Sequence, residues 1–483
     1  MKAVTQIIFI VRTVIIMKLL QFGEGNFLRA FVDYMIDYAN KHNDFGGEVV
    51  IAKAIPQGSL APFHKQNFKY TLVTRGVMNG QRIDTADQID SIRDAFCIYE
   101  EYDKFLLMAK DSELSVVVSN TTEAGIVYSG DDKISDCPPR TYPSKLTVFL
   151  YERFCHFKGD FEKGLYILPC ELIENNGSEL KKCVLQTAEG WKLPAEFTAW
   201  LTDSCVFCNT LVDRIVTGFD KTLSEQYKDP LIDVGEPFAL WVIEDIKNIR
   251  SILPLDKAGL PVIFTGNVSA FRERKVRILN GAHTATVLAG YLCGKKIVRD
   301  CMEDTVISGF MNRCLHEEII PTIDLDKNDL NDFANAVLER FSNPFIDHSV
   351  LSISLNSVSK WKARLLGSFK DYVRLFGKIP QNITFSFSAF LAFYMSDKIN
   401  GADSYELNDN DDVLKFFSDL NKKYLAGSVT LEDYVKTVAT NKAFWGEDLT
   451  SYEGFESAVC RYLEDILSAG ARHAMEKLAK ERI

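Results

Sequence analysis

The sequence predicts an α/β domain built on a largely parallel sheet, followed by a mainly helical second half. Three observations carry this. Short, β-branched apolar runs alternate with amphipathic helical stretches up to about residue 250, the pattern of strands joined by crossover helices. The first run opens directly into Gly23-Glu24-Gly25 and a helix, the start of a dinucleotide fold. Beyond the turn-rich Leu253–Pro261 segment the pattern is mainly helical, with amphipathic runs around 275–293, 329–341, 357–376, 384–396, 411–424 and 456–481. The expected division is therefore 1–16 as an extension, 17–254 as the sheet domain and 255–483 as the helical domain.

In chain order, Ile7–Val11 and Val14–Ile16 are apolar runs split by Arg12. They are too short to span a bilayer, and no small-residue cleavage site follows them. Lys18–Phe22 reads as the first strand and the helix after Gly25 as running to about Asn40. Gly23 and Gly25 let the backbone approach a pyrophosphate at the helix N-terminus. The fingerprint is degenerate, because Leu28 stands where a third glycine belongs. The strand Glu48–Ala54 runs into Ile55-Pro56-Gln57-Gly58 and supplies no acid for ribose hydroxyls, which leaves NAD and NADP open. Asn79-Gly80 between Tyr70–Arg75 and Gln81–Thr85 predicts a hairpin. Leu114–Ser119 suits a central parallel strand whose end, Asn120-Thr121-Thr122-Glu123, borders the nicotinamide side of a coenzyme. Ser144 is expected to cap a helix to Phe157. After it come a strand at Leu165–Leu168, helices at Ser178–Thr187 and Pro194–Cys205, and the segment Phe207–Ile215.

A chain of 483 residues with 47% hydrophobic content can bury two or three full cores. The net charge of −11, with basic residues scattered rather than massed, argues against a nucleic-acid footprint. Eleven irregularly spaced cysteines read as reduced thiols of a cytoplasmic protein. Cys205-Val206-Phe207-Cys208 has no second CxxC to complete a zinc site and sits in what looks like a half-buried strand. His316-Glu317-Glu318 begins like a zincin helix, but Ile320 occupies the place of the second histidine, so no metal is expected.

The stretch Lys275-Val276-Arg277-Ile278-Leu279-Asn280-Gly281-Ala282-His283 carries the chemistry. On an α-helix at about 100° per residue, His283 and Asn280 lie about 80° and about 140° round from Lys275. One face can then present all three to a small molecule. A desolvated lysine exchanges a hydroxyl proton while an amide and an imidazole N–H hold the oxygen, which suits carbonyl–alcohol interconversion. Lys360 and Arg364, at i and i+4, can face one point. The plainer alternatives are a solvated basic face for that pair and a surface lysine with a satisfied histidine for the first stretch.

Lys275-x4-Asn280-x2-His283 resembles the motif of the mannitol dehydrogenase family, the polyol-specific long-chain dehydrogenases. Phe22-Gly23-Glu24-Gly25-Asn26-Phe27-x-Arg29-Ala30, Asn209-x2-Val212-Asp213-Arg214-Ile215 and Trp241-Val242-Ile243-Glu244-Asp245 follow the family's order. Within the family, Leu168-Pro169-Cys170-Glu171-Leu172-Ile173 and Leu355–Lys360 bring the chain nearer to the tagaturonate reductase (altronate oxidoreductase) branch. The resemblance implies a Rossmann-like first domain, a helical second domain, no metal, and NAD as coenzyme held by Phe22, Gly23, Glu24, Gly25, Asn26, Phe27, Arg29, Asn120, Thr122 and Glu123. It also implies Lys275 as general acid/base and Asn280 and His283 as holders of the reacting oxygen. Asp213 as a polar support and Lys360, which matches a lysine of the family site, are further expected substrate contacts; Arg364 joins them on its i+4 spacing alone, and His348 is either a contact or a helix cap. The substrate implied is a keto-sugar acid or its aldonate, with fructuronate reductase and mannitol-type dehydrogenase as rival activities and a catalytically dead sensor as the rival class. Leu172 stands where mannitol-type members carry an asparagine that helps hold the oxygen, so Asn175 or Asn176 is a candidate replacement.

Overall fold

The computed structural model describes residues 17–121, 124–396 and 401–481. The chain divides into two compact units. One comprises the residues up to Arg75 with Asp84–Ser269, the other Gly76–Ile83 with the residues from Ala270 onward.

The first unit is built on β1 (Met17–Phe22), β2 (Gly47–Lys53), β5 (Ile92–Cys97), β6 (Leu114–Ser119), β7 (Tyr166–Pro169) and β8 (Val206–Phe207). These six strands pair in parallel in the order β5-β2-β1-β6-β7-β8. The order reverses between β1 and β6, so this is a Rossmann-type sheet with its switch point there. Both faces are covered. Leu19 packs with Ile51, Val116 and Trp241 in one core, and its neighbour Leu20 packs with Val50, Val117 and Phe149 in the other. Alternate side chains of one strand thus enter two cores, which is why the strands read as continuous apolar runs. Two small sheets complete the unit. In one, β3 (Tyr70–Met78) lies between β4 (Gln81–Ile89) and β10 (Asp233–Gly235); in the other, β11 (Leu240–Glu244) lies between β9 (Thr210–Asp213) and β12 (Val262–Thr265).

Several local expectations shift. The helix after the glycine turn, α1 (residues 26–43), continues to Asn43 and stops where Asp44 turns left-handed at φ 49°. Helix α2 (Tyr142–His156) is capped by Thr141, whose hydroxyl accepts from the Ser144 N–H, so Ser144 receives the cap rather than supplying it. Cys205 and Cys208 are fully buried rather than half-buried, and burial pushes both thiols up to about 12. Leu253, Leu255 and Leu260 of the turn-rich segment are buried in the first unit, and the chain enters the second after Ser269.

The second unit is helical: α3 (residues 268–292), α4 (Lys327–Phe341), α5 (residues 357–376), α6 (Gln381–Tyr394) and α7 (Phe455–Ala469) are its longer described members, with Asp411–Leu425 and Ala471–Lys480. Helix α6 is buried on every side from Asn382 to Tyr394, the place of a core helix, with Thr384, Ser386 and Ser388 among its aromatic and aliphatic residues. Its first turn is held by the buried Glu318 carboxylate, which accepts from Asn382 N, Asn382 Nδ2 and Ile383 N at 2.8, 2.8 and 2.9 Å. The tip of the β3–β4 hairpin, Gly76–Ile83, belongs to this unit. The Glu339 carboxylate accepts from the Asn79 and Gly80 amides at 2.9 and 2.5 Å, and Arg82 lies over the Phe345 ring at 4.6 Å. Four helical stretches widen to π geometry: Arg29–Asp33, Val276–Asn280, Cys314–Ile319 and Lys362–Leu366. Such turns are rare and cluster at functional sites.

Candidate active site

In the first unit, β1 and β6 end side by side, with Phe22 paired to Ser119. Open α/β sheets bind their ligands outside the strand ends at this point. Gly23 has φ +115°, a conformation that side chains rarely adopt, and a Cβ at exposed Gly25 would meet nothing within 4 Å. No side chain caps the start of α1. Its first amides are therefore available to an anion. A pyrophosphate fits this turn.

The surrounding residues divide into two sets. Phe22 is buried against Tyr142 and Phe105, and Phe27 stacks on Phe31 at 5.0 Å. Arg29 is turned inward. It donates to the Leu231 carbonyl and to Asn26 Oδ1, pairs with Asp233 at 3.7 Å and lies over the Tyr70 ring. Asn26 is held by that bond and by its close packing on Gly218. Phe22, Phe27 and Arg29 shape the turn from behind, while Gly23, Glu24, Gly25 and the exposed Asn26 form its open side.

At the end of β6, Asn120 donates to the Cys170 carbonyl at 2.7 Å. The buried Glu171 carboxylate accepts from Thr121 N at 2.9 Å, Thr121 Oγ1 at 3.0 Å and Ser119 Oγ at 3.2 Å. Burial raises its pKa against those bonds. Thr122 and Glu123 lie outside the described residues. Leu172 is 52% exposed. Asn176 is committed elsewhere: its amide nitrogen bonds the Pro169 and Glu171 carbonyls, and its oxygen takes the Gly177 and Thr210 amides. Asn175, exposed and left-handed at φ 50°, is uncommitted by any such bond.

Asp213 is buried on β9, opposite Leu240 of β11. The segments around 209–215 and 241–245 prove to be these two antiparallel strands. Glu244 accepts from both Asn209 N and Asn209 Nδ2 at 2.9 Å, and Arg214 Nε donates to the Glu236 carbonyl at 2.9 Å.

In the second unit, α3 carries Lys275, Asn280 and His283, but it is not α-helical throughout. Val276–Asn280 is a π turn in which the Gly281 N–H reaches the Val276 carbonyl five residues back. A π turn holds about 4.4 residues, so Asn280 stands about 50° round from Lys275 rather than about 140°. His283, three α-helical residues further on, lies within roughly 60° of Asn280. The π turn narrows the arc of the helix surface that the three share. Lys275 and Asn280 are half-buried, and the Asn280 side-chain amide makes no hydrogen bond to a described residue.

His283 is buried, stacked on Phe341 at 3.9 Å and edge-on to His348 at 5.4 Å. Its Nε2 has no partner among the described residues. Burial first, then the charges of His348, Arg364, Arg340 and Lys360, hold its pKa well below the usual 6.5. The ring is neutral. Lys360 and Arg364 stand on α5 at the border of its π turn, both half-buried. Lys360 donates to the Ile353 carbonyl at 2.8 Å and Arg364 to Thr284 Oγ1 at 3.3 Å. Among the described residues neither forms an ion pair. Burial lowers both pKa values, and Arg364 lowers that of Lys360 further against the pull of Asp409. Burial also lowers the pKa of His348.

Sequence reasoning missed Arg340 and Phe341, which approach His283 from the end of α4. Their only local signal is a charged residue beside an aromatic one, which many helices share. Among the described residues no three or more His, Cys, Asp or Glu gather as a metal site, and no helix is long and apolar enough to cross a membrane.

Comparison with known proteins agrees in both units. Residues 17–257 match the family described as the mannitol dehydrogenase Rossmann domain, and residues 267–467 its C-terminal domain. The altronate oxidoreductase of Yersinia enterocolitica serotype O:8 / biotype 1B is 41% identical over 465 residues, covering 95% of this chain and 96% of that one. That of Escherichia coli O1:K1 / APEC is 40% identical over 468 residues, with the same coverage. Pseudomonas fluorescens mannitol 2-dehydrogenase, solved with NAD and D-mannitol, shares the fold at TM-score 0.70 and 19% identity, covering 96% of this chain and 95% of that one. A D-sorbitol dehydrogenase does so at TM-score 0.78 and 21% identity, with 95% and 94% covered.

Proposed function

This chain belongs to the mannitol dehydrogenase family, and from that premise we propose that it is an NAD-dependent oxidoreductase interconverting D-tagaturonate and D-altronate in hexuronate breakdown. The observation that carries the acid substrate is the pair Lys360 and Arg364. Two half-buried cations four residues apart, beside a neutral histidine and with no carboxylate in ion-pair contact among the described residues, Asp409 acting on Lys360 only from further off, call for an anion. A sugar-acid carboxylate supplies it; a neutral polyol does not. The relatives named altronate oxidoreductase support the same choice.

When bound, the coenzyme would supply hydride transfer, as NADH in reduction of the ketone and as NAD⁺ in oxidation of the alcohol. The open turn at Gly23–Gly25 and the uncapped start of α1 suit its pyrophosphate, and the end of β6 at Asn120 suits its nicotinamide side. Lys275 Nζ gives the proton to the nascent alkoxide in reduction and takes it back in oxidation. The Asn280 amide and the His283 N–H hold the oxygen; a neutral imidazole donates without adding charge to a basic pocket. Lys360 and Arg364 take the carboxylate, His348 contacts the hydroxyl chain, and Asp213 is a polar support. The eleven cysteines, without a disulfide among the described residues, support a cytoplasmic setting.

The test is NADH oxidation with tagaturonate, fructuronate and fructose, repeated with NADPH. Tagaturonate with NADH is expected to give the highest kcat/KM. Faster turnover of fructose rejects the acid substrate, and preference for NADPH rejects the coenzyme.

A further inference from the structure

Behind the glycine turn lies a buried polar cluster that the proposed reaction does not use. Gln21 of β1 and Asp33 of the π turn in α1 are both fully buried. Gln21 Nε2 donates to the Gly23 carbonyl at 3.1 Å and to Asp33 Oδ2 at 3.4 Å. One amide therefore joins a buried carboxyl to the backbone of the turn. The peptide unit is planar and trans, so its C=O and N–H point opposite ways. Drawing the Gly23 carbonyl inward turns the Glu24 N–H outward, to the open side.

The cluster is charged and under-satisfied. Gln21 Oε1, Asp33 Oδ1, Asp233 Oδ2 and Arg29 Nε are buried without a hydrogen-bond partner among the described residues, Asp233 Oδ2 lying 3.7 Å from Arg29 Nη2: three acceptors and one donor. The groups facing Asp33 are Gln21 from β1, Arg29 and Asp37 from α1 itself, Tyr70 from β3 and Asp233 from β10. Asp37 is paired with Lys41 at 2.6 Å, and Arg214 acts on Asp233. That leaves Arg29 as the cation nearest two carboxyl groups. Burial pushes Asp33 up to about 8 and Asp233 up to about 7.

We propose that Gln21 and Asp33 are positioning residues for the glycine turn, and that Asp33 takes up one proton from solvent when an anionic dinucleotide binds there. The inference rests on the reading that the turn holds a pyrophosphate. An anion arriving on the open side disfavours a second negative charge just behind the same peptide. Neutral Asp33 also gains a donor, its Oδ–H, in a cluster short of donors. Binding and protonation then favour each other by linkage.

The measurement is the NADH dissociation constant from pH 6 to 9 at constant ionic strength, with calorimetry in two buffers of different ionisation heat to count protons. Affinity is expected to be flat on the acid side. Above about pH 8 it weakens by up to about tenfold per pH unit, the limit for one linked proton. Near that pH up to about half a proton is taken up per NADH bound, rising towards one a pH unit or more above it. Asp33→Asn, a neutral isostere, is expected to bind NADH with the slope removed. Gln21→Leu, which breaks the link to Gly23, is expected to bind more weakly at every pH. A flat profile in the parent without proton uptake overturns the proposal, a test that needs no variant to fold. So does a slope that survives Asp33→Asn, or one that disappears in Asp233→Asn instead. Absence of NADH binding at every pH sinks the coenzyme reading itself.

Discussion

Replacing Lys360 by Met keeps the side chain's length and removes its charge. A charge-assisted hydrogen bond to a carboxylate is worth about 1.5–3 kcal/mol, so Lys360→Met is expected to lower kcat/KM for tagaturonate about 10- to 150-fold. Any fructose turnover, with no carboxylate at stake, is expected to fall far less; equal losses would leave Lys360 with a hydroxyl or the helix. His283 makes a different prediction. Unfolded, its imidazole protonates near pH 6.5; folded, burial and the surrounding cations keep it neutral well below that. Below about pH 6.5 the unfolded state therefore binds more protons, and stability falls by up to about 1.4 kcal/mol per pH unit from this group. Above that pH its contribution is fully present. The Tm of His283→Gln is expected to drop less than the parent's between pH 6.5 and 5, and parallel curves would refute the assignment. Lys275, Asn280 and His283 were legible because their chemistry lies in one short stretch. Arg340 and Phe341 were not, because they reach His283 from another helix and nothing local marks them. Nothing local in the sequence marks Asp33 as buried; its place beside Gln21, Tyr70 and Asp233 shows only in the fold.

At the scale of elements, the glycine turn gives the cleanest separation of fold from function. Gly25 is exposed, has ordinary backbone angles at φ −66° and ψ 159°, and offers open space to a Cβ. Gly25→Val is therefore expected to leave Tm within a few degrees of the parent, since nothing in the fold must move. It also fills the space through which the backbone meets a pyrophosphate, so NADH affinity in a fluorescence titration is expected to fall at least about tenfold. Normal affinity in the folded variant would remove the turn from the coenzyme site. The alternation of strands and helices was readable because buried parallel strands have continuous apolar runs. The π turns were not. The choice between i→i+4 and i→i+5 hydrogen bonds leaves no mark in composition, yet it decides whether Asn280 stands about 50° or about 140° round from Lys275.

For the whole molecule, the cysteine pattern predicts a simple reactivity. Cys137 and Cys155 are exposed, Cys293 and Cys460 are partly covered, and the rest are buried; burial pushes Cys205, Cys208 and Cys301 up to about 12. A thiol reagent near pH 8 is expected to label Cys137 and Cys155 quickly without loss of activity, the buried thiols reacting only on unfolding. Fast labelling of more than four, or inactivation with the first two, would contradict the packing. The change from alternating to helical pattern falls at the turns around Leu253–Pro261; the two family models divide between residues 257 and 267, and the compact units change after Ser269. The hairpin tip bears on this most directly. Glu339 draws its two amides from Asn79 and Gly80, and Phe345 its guanidinium from Arg82. A chimaera that exchanges only the residues beyond 266 between relatives thus inherits a lock without its key; a working graft has to carry residues 76–83 along with the helices they fasten.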